Sequence, residues 1–314
     1  MRYIRPNSLT WWAGLLAMLT GIASVALPST GPLVELSRLV ALLAGSGDAS
    51  PAGLMFLGLG LIGLRDRIEL GLMRRCFPSA DGVIALSHGV ANELRDLVPN
   101  LSDRIEVIPN VGLPLPAQLA AAEEATARMR NAEGDLTLLA CGRLTKQKDY
   151  PTLFRALAGI DDDVPLRLDI LGDGELRGEL ETLAQKLGLQ DRIRFLGFQR
   201  DPLSYMKRAD IFILSSRWEG FGNVLVEAMA MGTPVISTDC LHGPAEIIEE
   251  GETGFLVPPG DPHALSRAIE RLAKDPGLRA RVGAAGEKHS QSFSSARIGG
   301  AYAEAFRTFA EKTV

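Results

Sequence analysis

The sequence contains little cysteine and almost no net charge, and each shortage excludes a class of protein. Its cysteines, Cys76, Cys141 and Cys240, are few, odd in number and widely spaced. This arrangement offers no zinc-ligand spacing and no disulfide framework, and it fits a reducing compartment. The formal net charge of −5 argues against a nucleic-acid partner, because nucleic-acid-binding surfaces are basic. The 314 residues, 46% of them hydrophobic, are instead enough for two domains with a sizeable core.

The N-terminal region is strongly apolar. Residues 9–27, LTWWAGLLAMLTGIASVAL, carry no charge, are long enough to span a bilayer and follow Arg2 and Arg5. Residues 53–64, GLMFLGLGLIGL, are apolar too but short for a membrane span. Two interpretations stay open: membrane contact through residues 9–64, or buried helices and strands of a globular lobe. We expect a cytoplasmic protein, which membrane contact would hold at the inner face of the plasma membrane.

Strand and helix patterns alternate through most of the remaining chain. Residues 81–111 indicate strand, helix and strand, and the alanine-rich residues 113–134 indicate a crossover linker. Residues 135–314 repeat the alternation regularly, which predicts βαβ units and a parallel, Rossmann-like sheet. Residues 1–64 show little alternation and no glycine-rich strand-to-helix loop. We therefore predict an α/β protein in which a complete C-terminal lobe follows an incomplete or divergent N-terminal lobe, residues 1–112.

Candidate binding residues follow the predicted strands, where ligands of parallel sheets bind. Gly142 follows the strand pattern LTLLA and permits a sharp turn, and Arg143 and Lys148 lie in the same loop. Two cations at a strand end suit a diphosphate, although two solvated surface charges are the alternative. Gly197 and Phe198 lie at the tip of another strand-end loop, where an aromatic ring could sit near a base or serve as core or lid.

The stretch EGFGN, which follows the strand pattern DIFILSS, predicts an anion site at the start of a helix. Asn223 is a suitable N-cap for a helix that begins at Val224. The free N–H groups of the first helical turn carry partial positive charge, which favours a bound phosphate. Gly220 and Gly222, on either side of Phe221, would leave room for that phosphate.

Glutamates lie on both sides of this turn. Glu219 precedes it in the loop, and Glu227 lies about one turn into an apolar helix, where an unpaired carboxylate is costly to bury. We interpret the two as ligands for hydroxyl groups at the two ends of a nucleotide sugar. Two alternatives stay open: structural ion pairs with Arg217 or Lys207, and the paired carboxylates of a glycosidase.

Together these residues resemble a known family. The segments GRLTKQKDYPTLFRAL, ADIFILSSRWEGFGNVLVEAMAMGTPVISTD and GETGFLVPPGDPHALSRAIERL are similar to the C-terminal lobe of GT-B glycosyltransferases, above all the retaining glycosyltransferase family 4. The likeness covers about residues 81–310. Glu219 and Glu227 match the E-x7-E motif of that family. The resemblance implies that Arg143 and Lys148 bind the diphosphate, that Glu219 contacts the donor hexose and that Glu227 contacts ribose.

The resemblance also implies a full set of site residues. The predicted catalytic residues are Arg143, Lys148 and Glu219, and the predicted donor contacts are Gly142, Gly197, Phe198, Gly220, Phe221, Gly222, Asn223, Val224 and Glu227. Neither a cofactor nor a metal is expected, since transfer in this family is metal-independent. His88, at the start of a predicted helix, is interpreted as a structural or surface residue.

The implied function is transfer of a hexose from a nucleotide sugar, with retention at the anomeric carbon. A UDP-linked donor is expected, together with a polysaccharide or lipid-linked glycan acceptor in bacterial surface polysaccharide synthesis. Two alternatives stay open. One is a non-catalytic nucleotide-sugar-binding remnant of such an enzyme, and the other is a GT-B sugar-nucleotide epimerase.

Overall fold

The computed structural model describes residues 74–128, 136–161 and 164–312. The chain divides into two compact units, residues 1–80 and residues 81–314. The predictions about membrane contact through residues 9–64 and about an incomplete lobe in residues 1–64 lie outside the described residues. Among the described helices, none is both long enough and apolar enough to cross a membrane.

A strand, a helix and a strand open the second unit, as the sequence predicts. Strand β1 (Val83–Ala85) pairs in parallel with β2 (Ile105–Val107), and helix α1 (His88–Leu97) connects them. The Ser87 hydroxyl accepts a hydrogen bond from the Val90 N–H and so caps α1. We call residues 81–112, which contain these elements, the first-lobe segment.

Regular alternation of helices and strands fills the rest of the unit. The strands are β3 (Leu136–Cys141), β4 (Leu166–Leu171), β5 (Ile193–Gly197), β6 (Ile211–Leu214), β7 (Val235–Thr238) and β8 (Gly254–Val257). The helices are α2 (Pro116–Arg128), α3 (Tyr150–Ala158), α4 (Arg177–Lys186), α5 (Pro202–Arg208), α6 (Asn223–Ala230), α7 (Pro244–Ile247), α8 (Pro262–Lys274), α9 (Pro276–Ser290) and α10 (Ser295–Lys312). Helix α2 lies within the predicted crossover linker and packs against α5.

The six later strands form one parallel sheet in the order β5-β4-β3-β6-β7-β8. The chain builds outward from β3 to β5, returns to the centre at β6 and then builds outward in the other direction. The strand order therefore reverses between β3 and β6. The helices that follow β3 and β6 pack on opposite faces of the sheet, and ligands of this fold bind at such a reversal, at the carboxyl ends of the strands. The predicted α/β fold with a Rossmann-like C-terminal lobe is confirmed.

Helices cover both faces of this sheet. On one face α3 and α8 contribute fully buried side chains such as Phe154 and Leu265. On the other face α5 and α6 contribute Met206 and Leu225. The central strands β6 and β7 are buried along their whole length, which explains why the sequence of β6, IFIL, is continuously apolar rather than alternating. In β7 the buried hydroxyls of Ser237 and Thr238 donate to backbone carbonyls.

The last helix returns to the first-lobe segment. Ile298, Ala305 and Phe309 of α10 form a small apolar cluster with Ile108, which follows β2. A Cβ at Gly82 would lie 2.3 Å from the ring of Phe309, so this close approach requires glycine. The short pair β1–β2 thus gains a core that it could not build alone.

Two glycines allow the loops after β3 and β4 to touch. A Cβ at Gly172 would lie 2.1 Å from the carbonyl oxygen of Gly142, and its φ of 127° also disfavours any other residue. A Cβ at Gly174 would lie 2.6 Å from the carbonyl oxygen of Leu144. The glycines of the sequence GDG therefore bring two strand-end loops into backbone contact.

The substitution Gly172→Ala is expected to lower the free energy of unfolding by about 1–3 kcal/mol, as overpacked sites do. The physical cause is a clash between the new methyl group and the backbone carbonyl of Gly142, because backbone cannot move aside as a flexible side chain would. Gly178→Ala is the control, because Gly178 lies in α4 with open space at its Cβ position. Urea unfolding of both variants measures the difference, and equal midpoints would contradict the packing argument.

Candidate functional site

Two loops meet at the reversal of strand order. One joins β3 to α3 and the other joins β6 to α6. The Arg217 N–H donates to the Gln147 carbonyl at 2.7 Å, and the Gln147 side-chain amide donates to the Trp218 carbonyl at 2.9 Å. The Ser215 hydroxyl donates to the Lys148 carbonyl at 2.7 Å. These bonds make the two loops one structural unit.

Lys148 and Glu219 form an ion pair across this junction. Lys148 Nζ lies 2.5 Å from Glu219 Oε1, and the Ser216 hydroxyl donates to the same oxygen at 2.7 Å. The lysine and glutamate side chains are only 16% and 9% exposed, so both charges are partly desolvated and each needs the other. The structure therefore brings together two of the predicted catalytic residues. The pairing itself and the role of Ser216 were not predicted.

Gly142 and Tyr150 form the surface on which the Lys148 side chain lies. A Cβ at Gly142 would lie 2.9 Å from Lys148 Cε, so the lysine stem crosses the bare backbone of this glycine. The Tyr150 hydroxyl donates to the Gly142 carbonyl at 3.2 Å. Burial raises the pKa of Tyr150 well above its usual value, which keeps that donor protonated. Arg143, by contrast, is exposed at the rim of the loop.

Arg217 and Lys207 pair with other acidic residues, so the two ion pairs offered as the alternative do not form, and Glu219 pairs with Lys148 instead. Arg217 Nε lies 3.0 Å from Oδ2 of Asp149, a buried residue in the left-handed conformation with φ of 44°. Lys207 Nζ lies 3.6 Å from Glu123 Oε1 on α2. Arg217 thus stabilises the strained turn that leads from Lys148 into α3.

The N-terminus of α6 lies a few residues beyond Glu219. Asn223 is not the N-cap that the sequence predicts, since the helix begins at Asn223 and Gly222 occupies the cap position with φ of 102°. No side chain caps this end of α6, and the Asn223 side chain instead accepts a hydrogen bond from Asn110 of the first-lobe segment at 3.2 Å. Gly220 has open space at its Cβ position. The Leu225 N–H donates to the Gly222 carbonyl at 2.9 Å, so of the first turn it is the N–H groups of Asn223 and Val224 that are left for an anion.

The ring of Phe221 faces the core. It is only 3% exposed and packs edge-on against Phe293, with ring centroids 5.6 Å apart. Of this predicted donor contact, only the backbone can reach a ligand, because the aromatic side chain fills the space beneath the turn. Phe198, the other predicted aromatic, is 77% exposed at the end of β5. Next to it the Gly197 carbonyl accepts a hydrogen bond from the Gly172 N–H at 2.8 Å.

Glu227 lines a cavity of about 390 Å³ that no sequence pattern indicated. The cavity lies between α6, the start of α5 and the residues that connect β2 to α2. Its lining residues are Val111, Gly112, Leu113, Pro114, Gln118, Ala121, Arg200, Asp201, Pro202, Leu203 and Glu227. The carboxylate is half-buried, and desolvation raises its pKa above the ordinary value. Among the described contacts it has neither an ion pair nor a hydrogen-bonding partner.

Cys141 lies at the end of β3, directly before the loop that holds Lys148. Burial and, to a smaller extent, the charge of Glu227 raise the pKa of its thiol to about 11, against a lowering by Lys148. The charges of Glu227 and Lys148 thus act in opposite directions on the pKa of this thiol. In the described part of the chain, no three His, Cys, Asp or Glu side chains gather as metal ligands would.

Comparison with known proteins gives a consistent result. Residues 122–289 match the family model described as Glycosyl transferases group 1. The chain is 33% identical over 212 residues to the lipopolysaccharide core biosynthesis glycosyltransferase LpsE of Rhizobium meliloti, a match that covers 68% of this chain and 59% of that relative. It is 31% identical over 231 residues to an N-acetylgalactosaminyltransferase of Campylobacter jejuni that acts on a diphospho-undecaprenol-linked sugar, covering 72% and 60%. The chain thus spans less than two thirds of either relative.

Solved structures share the fold. HepE of Anabaena, in complex with UDP and glucose, superposes with a TM-score of 0.65 at 22% identity, over 88% of this chain and 83% of that one. The sucrose-phosphate synthase of Thermosynechococcus elongatus superposes with a TM-score of 0.66 at 28% identity, over 80% and 63%. These likenesses assign the described C-terminal lobe to the GT-B fold.

The substitution Glu227→Gln is expected to raise the free energy of unfolding at pH 7. Burial raises the folded pKa of this carboxyl above its ordinary value of 4.5, so ionisation destabilises the folded state. That penalty is absent below the unfolded pKa and grows as the pH rises through the folded pKa. The gain should therefore shrink at pH 4.

Urea unfolding of wild type and Glu227→Gln at pH 4 and pH 7 measures this effect. The matched control is Glu252→Gln, which removes the charge of an exposed loop glutamate. A Glu227→Gln variant that is no more stable than wild type at pH 7, or equally stabilised at both pH values, would show that Glu227 is not held against a desolvation cost.

Proposed function

This chain belongs to the group 1 glycosyl transferases, and on that premise we propose that it is a retaining, family 4 glycosyltransferase that moves a hexose from a nucleotide sugar. The donor is a UDP sugar. The acceptor is a polysaccharide or lipid-linked glycan of bacterial surface polysaccharide synthesis, reached in the cytoplasm at the inner face of the plasma membrane. Transfer uses neither a cofactor nor a metal ion.

One observation carries the proposal: Lys148 and Glu219 are paired at 2.5 Å where the strand order reverses, close in sequence to the uncapped N-terminus of α6. A cation and free helical N–H groups suit a diphosphate, and a carboxylate suits sugar hydroxyls.

The nucleoside would extend toward Glu227. A cavity of about 390 Å³ with one unpaired carboxylate can accommodate a ribose and part of a base. Ribose hydroxyls would supply the hydrogen bonds that this desolvated carboxylate lacks among the described residues. The solved neighbour HepE, which holds UDP and glucose, supports a UDP sugar as the donor class.

In the proposed reaction, the bond between the anomeric carbon and the diphosphate oxygen breaks, and the acceptor oxygen bonds to that carbon. The acceptor hydroxyl proton passes to the leaving diphosphate, so no enzyme nucleophile is needed. Arg143, Lys148 and the N-terminus of α6 stabilise the negative charge that develops on the leaving group. These groups occupy the role that a metal ion has in other transferases, which is why we propose none here.

Relatives support the class of acceptor. LpsE is named for lipopolysaccharide core synthesis, and the Campylobacter enzyme is named for a sugar carried on diphospho-undecaprenol. Both names describe a glycan that includes or is carried on a lipid. We extend that class, but no individual sugar or linkage, to this chain.

The test of the overall proposal incubates the chain with a panel of UDP, GDP and ADP sugars and simple pyranoside acceptors. Mass spectrometry detects new glycosides, NMR determines the anomeric and epimeric configuration of the sugars, and titration calorimetry measures nucleotide binding. A new glycoside with retained anomeric configuration, together with free UDP, is the expected result. An epimerised donor without transfer would identify an epimerase. Binding of UDP without any product would identify a non-catalytic binding protein, and no binding of any nucleotide would refute the site.

The substitution Lys148→Ala is expected to weaken UDP binding by about tenfold or more, since charge-assisted bonds contribute roughly 1.5–3 kcal/mol. Titration calorimetry measures the affinity, and circular dichroism checks that the fold persists. The matched control is Lys146→Ala, which removes an exposed lysine of the same short helical turn. Equal UDP affinity for Lys148→Ala and Lys146→Ala would remove Lys148 from the diphosphate site.

A further inference from the structure

An exposed pair of apolar side chains lies at the rim of the ion-pair site. Trp218 immediately precedes Glu219 and is 49% exposed, and Leu241 is 67% exposed. The two residues pair through a parallel β-bridge, which sets their side chains next to each other on one face. Glu219 turns its carboxylate inward to Lys148. An indole ring and a leucine thus form a small apolar platform at the edge of a charged site.

The backbone beneath this platform is held in place. The Trp218 carbonyl accepts a hydrogen bond from the Gln147 side chain at 2.9 Å, and the Glu219 N–H donates to the Leu241 carbonyl at 3.3 Å. The same bonds position the Lys148–Glu219 pair. Any molecule that rests on the platform is therefore held in a defined position relative to that ion pair.

The platform also borders the first-lobe segment. His242, the residue after Leu241, contacts α1: its Nε2 lies 3.0 Å from Glu93 Oε1, and a Cβ at Gly89 would lie 2.0 Å from its Nδ1. Glu246 accepts hydrogen bonds from the His88 and Gly89 N–H groups at 2.8 and 3.2 Å. The platform thus lies between the ion pair and the place where the first-lobe segment joins the C-terminal lobe.

We propose that Trp218, with Leu241, is an acceptor-binding platform on which a pyranose ring of the acceptor glycan stacks. This inference rests on the proposed function. One face of a pyranose exposes mainly C–H bonds while its rim carries hydroxyls, so it matches an aromatic ring beside a carboxylate. Trp contributes a large, rigid contact area with little loss of conformational entropy. Leu241 extends the apolar contact to the neighbouring residue of the acceptor or to its aglycone.

Position favours an acceptor over the donor. The donor's diphosphate and hexose have their partners in Lys148, Glu219 and the N-terminus of α6, and its nucleoside has the Glu227 cavity. The platform contributes none of these donor partners, and it lies next to the contacts that His242 and Glu246 make with α1. An acceptor must approach the donor hexose from outside the donor's own path, so the platform lies where its ring would rest.

The test uses the full chain saturated with UDP and titrated with methyl and octyl pyranosides. The sequence has three tryptophans, Trp11, Trp12 and Trp218, so the fluorescence change that wild type shows and Trp218→Phe lacks reports on Trp218. In a transfer assay, Trp218→Ala is expected to raise the acceptor KM about tenfold and leave UDP affinity within about twofold, as loss of one stacking contact would. Trp218→Phe should stay within about threefold of wild type.

The control is Phe306→Ala, which removes another exposed aromatic ring, on α10, and is expected to change neither constant. An unchanged acceptor KM in Trp218→Ala overturns the inference, and so does a loss that falls on UDP affinity. Binding of Trp218 to phosphatidylglycerol vesicles in place of glycosides would also overturn it. If wild type shows no transfer, the proposed function fails, while pyranoside-induced fluorescence still decides whether Trp218 binds sugar.

Discussion

The ion pair between Lys148 Nζ and Glu219 Oε1 joins residues 71 positions apart in the sequence. It exists because β3 and β6 are neighbours in the sheet although two strands and their helices separate them in the chain. Hydrogen bonds from Gln147 and Ser215 close the two loops onto each other. Without this junction Lys148 would be an ordinary flexible surface lysine. The site is therefore organised by packing between loops before any ligand arrives, which reduces the entropy lost on binding.

The two glutamates differ in how the cost of desolvating their carboxylates is compensated. Glu219 is neutralised by Lys148 and hydrogen-bonded by Ser216, so its partial burial is compensated. Glu227 has no such partner among the described residues, and its raised pKa expresses that cost. A stable fold gains nothing from an uncompensated carboxylate, whereas a ligand with hydroxyl groups could satisfy it. Such a position is a common trade of stability for binding.

Contacts at the edge of the C-terminal lobe connect binding to architecture. The loop after β7 provides Leu241 to the apolar platform and His242 to α1, and the following helix α7 provides Glu246 to α1. The helix α10 returns to pack against β1 and β2 from another direction. The first-lobe segment is thus fixed to the C-terminal lobe by these two sets of contacts and by the hydrogen bond between Asn110 and Asn223. Because Leu241 contacts Trp218 and accepts a hydrogen bond from the Glu219 N–H, a displacement of the first-lobe segment that shifted the loop after β7 would also displace Trp218.

The sequence by itself determined the alternating strands and helices, the parallel sheet and the strand-end loops that hold Arg143, Lys148 and Glu219. Periodicity and glycine placement are local properties, so a linear reading recovers them. The likeness to GT-B enzymes also followed from contiguous motifs. One local feature was still predicted wrongly. Helix α6 starts at Asn223, because Gly222, in the left-handed conformation, occupies the cap position that the sequence assigned to Asn223.

Only the tertiary structure decided which charges meet. Ion pairs join Lys148 to Glu219, Arg217 to Asp149 and Lys207 to Glu123. No pattern in the sequence predicts which cation pairs with which carboxylate. The cavity at Glu227 is likewise built from three separate segments. The ring of Phe221 faces the core, where it packs against Phe293, a residue shortly after α9. Such facts depend on distances between residues remote in the chain, which the order of strands in the sheet determines.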